Sequence, residues 1–197
     1  MTVTVLTKTY PLPPIDTRAV WRYAAAKSPT DEMTTLLQAC LAESENKFTY
    51  AVCYAELPLT TDGALCDFGA FSVRSASLAE HLNGCERAVV FAATVGVELD
   101  RLIARYAALS PAKALLFQAI GTERIETLCD AFCLDVAGNN ARFSPGYGDV
   151  PLTVQRDIIA LLNTQKHIGV TLCDSLLMSP TKSVTAFVGL PRKEVMV

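Results

Sequence analysis

A chain of 197 residues, 51% hydrophobic and 19% charged, suits one domain that buries about 70% of its extended surface without disulfide or metal staples. Its formal net charge of −3 comes with Lys and Arg scattered singly, so no basic stripe invites nucleic acid or an anionic membrane. The seven cysteines have no framework spacing, Met1–Leu6 lacks the basic and apolar regions of a signal peptide, and no stretch approaches the roughly 18 apolar residues of a membrane span; free thiols in a reducing cytoplasm are expected.

Thr2 to Thr9 alternates threonine with apolar side chains and predicts a short edge strand, closed by Pro11, Pro13 and Pro14. Asp16 or Thr17 offers a cap for a helix carrying Val20, Trp21, Tyr23 and Ala24 to Ala26. Ser28-Pro29-Thr30-Asp31 starts a second, with Met33, Leu36, Leu37, Cys40 and Leu41 at helical spacing, a stripe that reads as core. From Lys47 the period changes to that of a strand, Phe48 to Tyr54, which ends at Pro58. Thr61-Asp62-Gly63 predicts a turn, with Leu65 to Val73 as the returning strand of a hairpin. Ser75 or Ser77 caps a short helix through His81, and the apolar run Arg87 to Thr94 predicts a buried strand. A helix follows from Gly96, with Leu99, Leu102, Ile103 and Tyr106 on one side.

Ser110-Pro111 pairs a capping serine with proline at the first helical position, and the helix it opens extends to about Val136, where Gly138-Asn139-Asn140 ends it. Another helix is expected from about Thr153 to Leu162. Two last strands, about Val170–Met178 and Ser183–Leu190, should meet across Ser179 to Lys182. Interspersed strands and helices without βαβ repetition predict an α+β fold with a largely antiparallel sheet, a single domain over 1–197 with a helical amino-terminal part over 1–45.

Between the two long helical patterns lies Ala141-Arg142-Phe143-Ser144-Pro145-Gly146-Tyr147-Gly148-Asp149, expected as a loop. Pro145 fixes one φ angle, while Gly146 and Gly148 admit conformations closed to other residues, so backbone can approach a ligand closely with a cation and an aromatic ring at its ends. Arg142 can hold a carboxylate with two parallel charge-assisted bonds, which lysine cannot match. Glu126 and Asp130, four apart, share a face of the preceding helix, and Glu123 is near enough to take their role.

The Arg142-x-x-x-Gly146-Tyr147 pattern resembles the adenosylmethionine-binding motif in the reactivation domain of cobalamin-dependent methionine synthase. Ile168 to Val188, with its Gly169-x-x-Leu172-x-Asp174-Ser175 stretch leading through Met178 and Pro180 into Ser183-Val184, is similar to the same domain; together the likeness covers roughly 115–190. It implies an activation-domain-like α+β core over 46–197 and an adenosylmethionine site made of Arg142, Ser144, Gly146, Tyr147, Glu126 and Asp130, with backbone groups around Phe143 to Gly146 reading the adenine edge. It also implies a stand-alone module that docks on a cobalamin-bearing protein, methionine synthase or another corrinoid protein. There the module would supply a methyl group, with an electron from a flavodoxin-type donor, to restore oxidised cobalamin. Positioning the sulfonium methyl is then the chief task and no catalytic side chain is required.

The sequence departs from that family in two places. Gly148-Asp149-Val150-Pro151 stands where the family has Pro-Ala-Cys-Pro, and Pro191 to Val197 holds no counterpart of a ligand-lining tyrosine. The missing tyrosine favours an alternative in which the fold serves as a scaffold or sensor beside corrinoid enzymes. A third reading is an independent enzyme acting on a soluble methyl acceptor. His81 and His167 lie far apart without partners at ligand spacing, so no zinc site is expected, and Cys129 and Cys133 read as structural thiols. The absence of Gly-x-Gly-x-x-Gly leaves a Rossmann-type methyltransferase without support.

Overall fold

The computed structural model describes residues 3–11, 14–138 and 140–191. Thr2 of the expected first strand, Pro13 among its stops, Asn139 in the helix stop, and the stretch after Pro191 lie outside them.

The chain runs through β1 (Leu6–Thr9), α1 (Thr17–Tyr23), α2 (Asp31–Ser44), β2 (Ala51–Pro58), β3 (Thr60–Asp62), β4 (Leu65–Asp67), β5 (Ser72–Arg74) and α3 (Ala76–His81). It continues with β6 (Cys85–Thr94), α4 (Glu98–Leu109), α5 (Pro111–Ala137), β7 (Arg142–Phe143), α6 (Val154–Leu162), α7 (Thr164–Ile168), β8 (Thr171–Leu172), β9 (Met178–Ser179) and β10 (Ser183–Pro191). Among the described residues the main sheet has the order β1-β2-β6-β10-β7, and every pairing in it is antiparallel. This is the α+β fold that the interspersed elements predict.

The sheet is the middle layer because its central strands are apolar on both faces. Along β6, Val89, Phe91 and Ala93 face one core, shared with Val20 of α1, Leu37 and Cys40 of α2, Leu99 of α4 and Phe117, Ile120, Leu128 and Phe132 of α5. The alternate residues Ala88, Val90 and Ala92 face a second core, with Leu78 of α3, Ile158 and Leu162 of α6, Phe68 and Phe187. A period-two strand thus glues a helical layer to each side. The amino-terminal helices belong to the first of these cores.

Several local expectations change. Ser110 stands at the N-cap of α5 but makes no side-chain capping bond; the helix start rests on Pro111. Asp16, Thr30 and Ser75 do cap, accepting from the amides of Arg18, Met33 and Leu78. The strand returning from Gly63 is broken into β4 and β5, and it pairs with β3 rather than with β2, because β2 is already flanked by β1 and β6. Val170–Met178 is not a strand. Only Thr171–Leu172 and Met178–Ser179 pair, with each other, around a polar turn at Cys173-Asp174-Ser175 in which Leu176 has φ of 65°. β10 pairs with β6 and β7 instead.

Candidate functional site

The site is built where α5 ends against the far edge of the main sheet. After Gly138 caps the helix, the chain reverses and Arg142-Phe143 adds to the sheet as β7, opposite Val188 and Phe187 of β10. The predicted loop therefore begins as an edge strand. That register, rather than loop flexibility, fixes where Arg142 leaves the backbone. His81 reinforces it: its Nε2–H donates to the Ala141 carbonyl at 2.9 Å, and its ring packs 5.1 Å from that of Phe143. Asn140 donates to the Gly189 carbonyl at 2.7 Å and ties the approach to β10.

Glu126 and Asp130, one turn apart on α5, converge on Arg142. One guanidinium nitrogen donates to Asp130 and the other to Glu126, the latter at 2.5 Å. The Arg142 side chain is 19% exposed, against 43% and 72% for the two acids. The cation thus lies beneath a more open acidic rim. Burial opposes its charge, but the hydrogen bond to Asp130 and the neighbouring acids outweigh that and hold its pKa above the ordinary value. Behind it, burial pushes the thiols of Cys129 and Cys133 up, against the pull of the guanidinium.

Beyond Phe143 the chain makes a compact turn. The amide of Gly146 donates to the Val150 carbonyl at 3.0 Å, Tyr147 N–H to the Ser144 carbonyl at 3.2 Å, and Val150 N–H to the Tyr147 carbonyl at 3.0 Å. Gly146 and Gly148 have φ of 89° and 55°, and a Cβ on Gly148 would fall 2.7 Å from the Ser77 hydroxyl, so this turn needs both glycines. Asp149 then clamps the turn to α3. Its carboxylate accepts from the Ser75 hydroxyl and from the amides of Ala76, at 2.8 Å, and Ser77, at 3.1 Å. These bonds, that of Ser75 foremost, hold its pKa far below the usual carboxylate range.

Together these residues wall a cleft of about 790 Å³, lined by Glu126, Asp130, Arg142, Ser144, Pro145 and Tyr147, by Cys133 and Leu134 of α5, by Gln155 of α6, and by Met178 and Ser183 to Thr185. Five of the six residues expected at the ligand line it. Gly146 does not: its amide is spent inside the turn, so it shapes the loop and leaves no donor for an adenine edge. Tyr147 is 69% exposed at the rim. Glu123, expected as a possible substitute, is buried and bonded to Arg124, Thr127 and the Asp16 amide. Gln155, Thr185 and His81 carry no sequence signal; they enter through the tertiary packing of α6, β10 and α3.

A volume of several hundred cubic ångströms fits one small organic molecule. The ionic cluster at one wall suits a zwitterion, since it offers both a guanidinium and carboxylates. Residues 121–193 match the family model described as the activation domain of vitamin B12 dependent methionine synthase. This part of the chain is similar to that family. The activation-domain match takes in most of α5, the Arg142 turn and the closing strand, the same span that carries the motif. A search of the solved structures finds the crystal structure of the MetH reactivation domain bound to AdoHcy, with a TM-score of 0.70, covering 95% of this chain and 78% of that one at 14% identity. The amino-terminal segments, which hold no readable motif, are thereby included in the reactivation-domain fold. No curated protein matches. Among the described residues no helix is long and apolar enough to cross a membrane.

Proposed function

We propose that this protein binds adenosylmethionine in the Arg142 cleft and serves as a reactivation module for a cobalamin-bearing methionine synthase or related corrinoid protein. The observation that carries the reading is the convergence of Arg142, Glu126 and Asp130 on one wall of a cleft sized for a small molecule. One cation and two acids leave that wall with a net negative formal charge. Adenosylmethionine is its complement, with an ammonium and a sulfonium against one carboxylate.

In this reading Arg142 takes the ligand carboxylate with the N–H groups left over from its two acids, while Glu126 and Asp130 meet the ammonium. Ser144 and Tyr147 close over the ligand, and the exposed ring of Tyr147 lies toward the docking partner. The corrinoid stays on that partner; one electron from a flavodoxin-type donor makes its cobalt nucleophilic. The cobalt–carbon bond forms as the sulfur–carbon bond breaks, which leaves adenosylhomocysteine behind. The chain's own contribution is positioning of the sulfonium methyl, which needs no general base. A cytoplasmic setting follows from such partners.

The test is reactivation. With a corrinoid protein in its oxidised, inactive state, an electron donor and adenosylmethionine, addition of this chain should raise the yield of methylcobalamin absorbance. A chain that binds adenosylmethionine but gives no such rise would be the scaffold or sensor of the alternative reading.

A further inference from the structure

Two polar atoms of the cleft wall are left over by that account. Among the described residues, the side-chain oxygens of Gln155 and Thr185 are the buried polar atoms without a hydrogen-bond partner. The residues are 7% and 2% exposed, and both line the cleft. Their neighbour Ser183, on the same strand and in the same cleft, is bonded to Thr94 and to the Pro180 carbonyl. The contrast excludes a generally loose region: Ser183 is satisfied by protein and Thr185 is not. Burying such an oxygen without a partner is costly, so its persistence beside a cleft calls for an external partner.

We propose that Gln155 and Thr185 form a neutral subsite that takes the nucleoside half of the ligand, separate from the ionic wall that takes its amino-acid half. The inference rests on the functional reading above and assigns the second half of the same molecule. The unpartnered Gln155 oxygen demands an N–H or O–H donor, and a threonine hydroxyl both donates and accepts. A base amine or a sugar diol meets these demands; a second carboxylate or a sulfonium does not. The Gly146 amide is already committed within its turn, so these side chains take on part of the recognition that loop amides would otherwise provide.

Calorimetric titrations with adenosylmethionine and with methylthioadenosine, which keeps the nucleoside and lacks the amino-acid carboxylate and ammonium, test the division. Gln155→Met and Thr185→Val should each weaken both ligands about tenfold, whereas Arg142→Ala should weaken adenosylmethionine and leave methylthioadenosine nearly untouched. The thermal midpoints of Gln155→Met and Thr185→Val without ligand should hold or rise, because each removes an unsatisfied buried atom; a purely structural role would lower them. If adenosylmethionine binds and both variants bind it as tightly as wild type, the subsite is wrong and the functional reading stands. If wild type ignores adenosylmethionine yet binds methylthioadenosine through Gln155, the reverse holds. Binding of neither ligand removes both.

Discussion

Helix α5 contributes carboxylates to two neighbouring arginine–carboxylate clusters, the second completed by Arg142 of β7, and their surroundings give them opposite roles. Glu123 and Arg124 are 3–4% exposed and doubly hydrogen-bonded at 2.5 and 2.6 Å, and the Asp16 amide and Thr127 hydroxyl also donate to the Glu123 carboxylate. That pair pins the start of α1 to α5, with Asp16 as the link. The Glu126–Arg142–Asp130 cluster opens on a cleft, with its acids roughly half and three-quarters exposed. Here the guanidinium keeps donors to spare. The residue types are the same; burial and satisfaction decide which cluster holds the fold and which can take a ligand.

The largest effect should come from breaking the closed cluster. Arg124→Ala leaves the Glu123 carboxylate buried with its strongest donor gone, and unfolding free energy should fall by about 3–5 kcal/mol, read from denaturant midpoints. Adenosylmethionine affinity of the fraction still folded should be unchanged. A loss below about 1 kcal/mol, the scale of an exposed ion pair, would erase the distinction between the two clusters.

Arg142→Ala should do the converse. Stability should move by no more than about 1 kcal/mol, because its partners reach solvent, while adenosylmethionine affinity should fall by on the order of a hundredfold as charge-assisted bonds are lost. Arg142→Lys should not restore it, since an ammonium cannot present two parallel donors.

A smaller effect is expected at Asp149, which holds the Arg142 turn to α3. Asp149→Asn should lower the thermal midpoint and weaken ligand binding a few-fold at neutral pH. The folded pKa is depressed, so its contribution to stability is full above the unfolded carboxylate value near 3.9 and is lost only as pH falls through the lower folded value. Wild type and variant should therefore differ throughout the neutral range and converge at the acid extreme. Thermal melts as a function of pH would show it; a gap that closes between pH values of about 5 and 7, above the carboxylate range, would assign the clamp to another group.

The smallest signal sharpens the contrast along α5. Cys173 is exposed and should react with a thiol reagent at once. Burial pushes Cys40 up to about 11 and Cys53 up to about 12, so both should stay silent until the chain unfolds. In a Cys173→Ser background, slow labelling of Cys133, which lines the cleft, should be slowed further by adenosylmethionine.

What the sequence discloses depends on how local the cause is. Val20, Leu37, Phe91 and Phe132 occupy positions set by their own periodicities, and the α+β class and helices α2, α5 and α6 follow from them. Asp16 and Thr30 are legible as caps because a cap is a contact between near neighbours. Glu126, Asp130 and Arg142 are legible through spacing and the Arg142-x-x-x-Gly146-Tyr147 motif. The Arg142-Phe143 strand was not, because two residues carry no period and their pairing with β10 is settled elsewhere in the chain. The failure of the strand expected over Val170–Met178 has the same root: its β-rich letters flank the polar turn at Cys173 to Ser175, and β10 finds better-buried partners in β6. Gln155 and Thr185 could be found only in three dimensions, since what marks them is a missing hydrogen bond.

The open cluster of Glu126, Asp130 and Arg142 is proposed to grip an amino-acid ligand. Titrating adenosylmethionine into the wild-type chain and into Arg142→Ala by calorimetry measures this directly. A saturable heat for wild type that vanishes in the variant is the predicted result. No heat from either chain, or equal heat from both, would contradict it.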